Sequence, residues 1–200
     1  MAEAEMTQVA MEGTDRLVQG LREADPAAHQ EFCAHYGRRL HRFIALQLRG
    51  DASTAEELMV QTLVEAVRHI GRFDPRKASF LAWLFGIARR QVLGELRQQR
   101  RRKSVPESAQ VPLASLAEEA HAADPTEPLA GQIAAQQQVA RLRETLSPME
   151  MEVLLLHGLQ GLSVREIGHV VGRSERAINS LLHRARQRAR ERLGEDASAS

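Results

Sequence analysis

Apolar residues recur along this chain at three- and four-residue spacing in several separate runs, the mark of amphipathic helices. Leu17 to Lys103 offers no strand-like alternation. Leu17, Val18 and Leu21 predict a short first helix, and Asp25 followed by Pro26 reads as a capping residue with proline at the first helical position. From there Phe32, Tyr36, Leu40, Phe43 or Ile44, and Leu48 step along one face until Gly50 ends the pattern. Thr54 and Glu57 are expected to form a capping box that opens a third helix, with Leu63, Ala66, Val67 and Ile70 as its apolar stripe. Asp74 and Pro75 predict a turn, Ser79 caps the next helix, and Leu81, Leu84, Ala88, Val92 and Leu96 draw its stripe. The first block is thus a bundle of about four helices.

A second helical block runs from Val139 to Leu193. Ser147, Pro148 and Glu150 make a capping box, so a helix is expected from Pro148 to about His157, stopping at Gly158. Ser163 and Glu166 make another, Val164, Ile167 and Val170 or Val171 face inward, and Gly172 closes that short helix. Gly172 and Arg173 turn the chain into Ser174, which caps the last helix, completing a helix-turn-helix pattern. Ile178, Leu181 or Leu182, Ala185 and Ala189 form its packing stripe.

Between the blocks, Ser104 to Gln138 scatters four prolines among Ala, Ser and Glu and holds no Lys or Arg. It is expected to be a flexible acidic tether with a reach on the order of 100 Å. The predicted fold is therefore all-α: a disordered tail 1–14, a helical domain 15–103, the linker 104–138, a helix-turn-helix domain 139–193 and a disordered tail 194–200.

The formal net charge of +1 hides a segregation in which the ends of two helical blocks are basic while the start and the middle are acidic. Phe73, Phe80, Trp83 and Phe85 bring together four rings of a chain that has only five Phe, one Trp and one Tyr, and arginines follow them directly. Arginine forks pair with phosphates and flat rings stack on unpaired bases, so this stretch points to opened nucleic acid. On the last helix Glu175, Arg176, Asn179, Ser180, His183 and Arg184 are left outward, residue types that read base edges in a major groove. Arg186, Arg188, Arg190 and Arg192 are placed for backbone phosphates. On these assignments Arg176→Ala weakens binding at one base position and Arg188→Ala weakens all sequences alike.

Other chemistry finds little support. His29, Cys33, His35 and His41 point around a helix and do not converge as metal ligands must. No nucleophile-base pair or Gly-rich phosphate loop stands out, so neither catalytic residues nor a cofactor is expected. The single cysteine excludes an internal disulfide, and the sequence has neither a membrane-spanning run nor a leader, which is the pattern of a cytoplasmic protein.

With both blocks in view the chain resembles bacterial RNA polymerase sigma factors of the extracytoplasmic-function (ECF) type. The resemblance rests on AEELMVQTLVEA from Ala55, RFDPRKASFLAWLFGIARR from Arg72, LSPMEMEVLLLHGLQGLSVREIG from Leu146 and SERAINSLLHRARQRAR from Ser174. It implies that Glu57, Leu58, Gln61 and Thr62 dock on the clamp coiled coil of core RNA polymerase, with a further contact to the polymerase flap. It implies that Arg72, Phe73, Arg76, Lys77, Phe80, Trp83, Arg89, Arg90 and Arg97 open the minus-ten promoter element. Ser174, Glu175, Arg176, Asn179, Ser180, His183 and Arg184 would read the minus-thirty-five element, and an anti-sigma factor would be a further partner.

The chain departs from the family's habits. Glu57 stands where Asp is frequent, Val60 near a usual Gln, and Arg90 and Gly94 replace a common Asn and Asp. A frequent T-V-K-S-R reads here as Ala177 to Leu181, which implies lower upstream affinity and an unusual sequence preference. Two alternatives remain: a helix-turn-helix regulator of response-regulator output type, and a sigma-like protein that binds polymerase but no longer initiates.

Overall fold

The computed structural model describes residues 13–48, 51–103 and 138–197, and the chain divides into two compact units, Met1–Ala117 and Glu118–Ser200. Residues 104–137 of the expected linker and 1–12 of the expected tail lie outside the described residues. Among the described residues all regular structure is helical.

In the first unit helix α1 (13–22) begins two residues inside the expected tail and buries Leu17, Val18 and Leu21. Its exit passes through Ala24 at φ 58°, a left-handed conformation. Asp25 then caps α2 (Pro26–Gln47) by accepting from the Ala27 amide, with Pro26 in the first turn where its missing N–H costs nothing. The buried face of α2 holds Phe32, Tyr36 and Leu40 as the spacing predicts, with both members of the Phe43/Ile44 pair inside, and Ala28 besides.

Helix α3 (Ala52–Arg68) starts earlier than its sequence suggested. Asp51 is the cap, accepting from the Thr54 amide at 3.0 Å and the Thr54 hydroxyl at 2.8 Å. The expected Thr54–Glu57 box is therefore corrected: Thr54 already lies in the first turn, and Glu57 faces outward. Helix α3 packs against both α2 and α4 (Phe80–Lys103), so its inward face is wide, taking in Ala55, Leu58 and Thr62 beside Leu63 and Ala66. Ser79 caps α4 through the Ala82 amide at 3.2 Å. Its buried face is Phe80, Ala82, Leu84, Phe85, Ile87, Ala88 and Val92. Leu81 and Leu96, expected in this stripe, are only half-buried.

In the second unit α5 (138–145) leads to α6 (Pro148–Leu154), which Ser147 and Glu150 open with the predicted reciprocal box. Gly158 does not stop it. A π-helical turn, Leu155–Leu159, carries the chain on, and the left-handed residue is Gly161 at φ 71°. Ser163 and Glu166 box the start of α7 (Val164–Val171). The turn into α8 (Glu175–Ala197) needs two glycines for different reasons. Gly172 sits at φ 70°, and Gly168 lets the Arg173 carbonyl approach so closely that a Cβ there would lie 2.8 Å from the oxygen. Helices α6 and α7 both pack on α8, around Val153, Leu156, Leu162, Ile167, Ile178, Leu182 and Ala185. Helix α8 continues four residues into the tail expected at 194–200.

Candidate nucleic-acid interface

Two surfaces carry the sequence-expected site residues, one on each unit. On the first, the aromatic cluster proves to be mainly core. Phe73 and Phe80 are 6% and 3% exposed, and their rings lie 5.5 Å apart, edge to face. Phe80 also meets Phe32 at 5.9 Å and Tyr36 at 5.4 Å, while Phe85 packs edge-on against Phe43 at 5.0 Å. Edge-to-face packing satisfies the ring quadrupoles and covers the faces that a base would need. The expectation that Phe73, Phe80 and Phe85 form stacking platforms is thus corrected; Trp83, half-buried and tilted over Phe73 at 5.5 Å, is the ring of this group that keeps exposed surface.

The basic residues do reach the surface. Arg72, Arg76, Lys77, Arg90 and Arg97 are exposed and Arg89 is half-buried. Three of them are oriented by the fold. Arg76 forms a two-pronged pair with Asp74, Nε to Oδ1 and Nη2 to Oδ2 each at 3.0 Å. The hydrogen bonds from Arg76 hold the Asp74 carboxyl down at about 2. Arg90 approaches Glu65 of α3 at 3.5 Å, beside the Gln91 amide that donates to the same carboxylate. Arg97 Nε donates to the Leu93 carbonyl. Arg22 at the end of α1 donates to the Phe73 carbonyl at 3.0 Å and so ties the loop before α4 to the bundle.

On α3, Leu58 and Thr62 are 6% and 0% exposed, and the Thr62 hydroxyl donates to the Leu58 carbonyl at 2.7 Å. The expectation that these two contact a partner directly is corrected, because α4 covers one flank of the helix and α2 the other. Glu57 and Gln61 are outward as expected, and beside them Val60 and Val64 are 49% and 41% exposed. Sequence reasoning passed over this valine pair, although two apolar residues one turn apart and off the packing stripe were a readable signal.

On the second unit Ser174, Glu175, Arg176, Asn179, Ser180, His183 and Arg184 are all exposed on α8, as expected. The Ser174 hydroxyl accepts from the Ala177 amide, and the Ser180 hydroxyl donates to the Arg176 carbonyl. An open groove of about 320 Å³ runs along one flank, lined by Met149, Arg173, Ala177, Ser180, Leu181 and Arg184. What the sequence did not reveal is where two of the arginines go. Arg184 Nε lies 3.4 Å from Glu150 Oε1, and Arg188 Nη1 lies 2.8 Å from Oε2. Burial pushes the Glu150 carboxyl up, but the Ser147 amide and hydroxyl together with Arg188 and Arg184 outweigh it and leave it below the usual glutamate range.

Elsewhere His29 Nδ1 is spent on the Asp25 carbonyl and Cys33 is exposed, and among the described residues no group of three His, Cys, Asp or Glu is placed to hold a metal. No helix among them is long and apolar enough to cross a membrane.

A helical bundle followed by a helix-turn-helix with an outward polar and basic face defines a DNA-binding transcription protein of two modules. Comparison with known proteins places it more closely. The Sigma-70 region 2 family matches residues 32–102 and the Sigma-70 region 4 family matches residues 136–188. The ECF RNA polymerase sigma factor BldN of Streptomyces coelicolor is 32% identical over 181 residues, covering 90% of this chain and 66% of that one. The RNA polymerase sigma factor CarQ of Myxococcus xanthus is 28% identical over 174 residues, covering 87% and 94%. In fold the chain is similar to the sigma factor RpoE of Bartonella quintana, solved in complex with the anti-sigma factor NepR, at a TM-score of 0.64 and 23% identity over 82% of this chain and 96% of that one. The chain belongs to the sigma-70 family and is an ECF-type member.

Proposed function

We propose that this protein binds core RNA polymerase and directs promoter-specific transcription initiation, the first unit opening the minus-ten element and the second reading the minus-thirty-five element. The observation that carries the reading is the outward face of α8, where Arg176, Asn179, Ser180 and His183 stand clear of the core. That face lies on the second helix of a helix-turn-helix whose turn is held by paired bonds from Gly172 and Arg173 to the Gly168 carbonyl. Such a face reads base edges directly. On the first unit Arg72, Arg76, Lys77, Arg89, Arg90 and Arg97 supply the phosphate contacts and Trp83 the stacking surface for a displaced strand, while Phe73 and Phe80 hold them in place from within.

The polymerase clamp would meet α3 through Glu57, Val60, Gln61 and Val64, with Leu58 and Thr62 supporting that face from beneath. A polar helix with two exposed valines fits a docking surface that is apolar at its centre and polar at its rim. Synthesis of RNA is then the polymerase's chemistry, the protein works in the cytoplasm, and an anti-sigma factor competes for the same surfaces. A receiver-type first unit would need strands, and the described part of this unit is a helical bundle.

The test is co-elution with bacterial core RNA polymerase on size exclusion, wild type beside Glu57→Ala/Val60→Ala/Gln61→Ala. Co-elution lost only in the variant is the expected result. Failure of the wild-type protein, free of any inhibitor, to co-elute would overturn the reading. Permanganate footprinting of a bound promoter then distinguishes an initiating factor, which exposes thymines near minus ten, from one that only binds polymerase.

A further inference from the structure

Glu150 has more partners than a capping box requires. Its side chain is 4% exposed, and Oε2 accepts from the Ser147 amide at 3.0 Å and the Ser147 hydroxyl at 2.8 Å. The first of these and the bond from the Glu150 amide to the Ser147 hydroxyl oxygen, at 3.3 Å, complete the box. The same carboxylate also takes Arg188 on Oε2 at 2.8 Å and Arg184 on Oε1 at 3.4 Å, both from α8 and both about half exposed. Residues 184 and 188 are one helical turn apart, so a single carboxylate on α6 grips adjacent steps of the recognition helix. Two guanidinium groups against one carboxylate leave a positive excess. A guanidinium is a rigid planar fork, so fixing one of its N–H edges fixes the direction of the donors that remain.

We propose that Glu150 is a positioning residue for promoter recognition: it holds Arg184 and Arg188 as a preoriented pair whose remaining donors take phosphodiester oxygens, fixing the register of α8 in the groove. The proposal rests on the reading of α8 as the base-reading helix. Because Arg176 and Asn179 lie on the same rigid helix, phosphate contacts that fix its register also decide which base edges those side chains meet. The residue thus acts on sequence discrimination through the two arginines, without touching DNA.

The experiment uses the full chain in complex with core polymerase, a duplex selected by the wild-type complex from a randomised pool, and a scrambled duplex of the same length. Glu150→Gln keeps an N3 side chain that can close the box but releases both arginines. Its expected effects are a fall of about tenfold in the ratio of selected to scrambled binding, and a salt dependence steeper by about one phosphate contact, a slope change of roughly 0.9. In an Arg184→Ala/Arg188→Ala background, Glu150→Gln should change the ratio no further. A role in capping alone moves thermal stability and neither of these quantities. The fold-neutral companion is Arg184→Lys/Arg188→Lys, which keeps both charges and removes both forks; it should lower the ratio with the salt slope unchanged. A ratio unchanged in both Glu150→Gln and the lysine pair overturns the proposal while leaving the sigma-factor reading intact. A wild-type complex that selects no duplex overturns both.

Discussion

Gly168→Ala sets two opposing effects of one methyl group against each other. Alanine in place of glycine inside a helix favours folding by about 1 kcal/mol, because the unfolded chain loses freedom. At Gly168, however, the new Cβ would stand 2.8 Å from the Arg173 carbonyl oxygen, a backbone atom. That oxygen cannot swing aside as a side chain would, since Gly172 and Arg173 donate to the Gly168 carbonyl at 2.9 and 3.0 Å and fix the turn. Overpacking of this kind costs about 1–3 kcal/mol, so the net expectation is destabilisation of the second unit by up to about 2 kcal/mol. Gly94 in α4 is the matched control: it is exposed, nothing lies within 4 Å of its Cβ position, and Gly94→Ala should stabilise the first unit by up to about 1 kcal/mol. The two units can be read separately. Trp83, the chain's one tryptophan, lies in the first unit, so its fluorescence in urea follows that unit, whereas far-UV circular dichroism follows both. Gly168→Ala should lower the midpoint of the circular dichroism component that has no fluorescence counterpart and leave the fluorescence transition in place. Stabilisation of the second unit by this substitution would refute the close-approach argument.

Leu58→Ala should cost about 2–4 kcal/mol in the Trp83-monitored transition because Leu58 is core; Glu57→Ala should leave that transition within about 0.5 kcal/mol while weakening polymerase co-elution. Ala24→Gly relieves a left-handed alanine at φ 58° and should stabilise the first unit by roughly 0.5–1 kcal/mol, measured in urea. The Glu150 carboxyl is lowered from its ordinary value of 4.5, so its contribution is fully present above that value. It is lost as pH falls through the lower folded value. The second unit's melting temperature should therefore drop with acid below the ordinary glutamate range more steeply in the wild type than in Glu150→Gln, and equal slopes would remove Glu150 from the account.

Three helix starts were legible from a short polar side chain that precedes a proline or faces a glutamate three residues on. Asp25–Pro26, Ser147–Glu150 and Ser163–Glu166 form as their spacing dictates, because a cap is a contact within one turn of chain. The Thr54–Glu57 box failed for the same local reason: Asp51 offered the Thr54 amide an earlier acceptor.

Sequence alone determined the all-helical fold, the stripe from Phe32 to Leu48, the helix-turn-helix and the outward face of α8, all of which follow from periodicity within single helices. Tertiary structure decided what happens where a second helix arrives. Phe80 became core because α2 brings Phe32 and Tyr36 against it, and Phe73 packs in turn on Phe80 and Trp83; Leu58 and Thr62 were covered because α3 is flanked on both sides, and Arg184 and Arg188 found Glu150 across a gap of 34 and 38 residues. Aromatic and arginine side chains suit a core or an ion pair as well as a ligand, so their composition marks the region of a site. Which of them face the ligand is set by the neighbouring helices that cover or grip the rest.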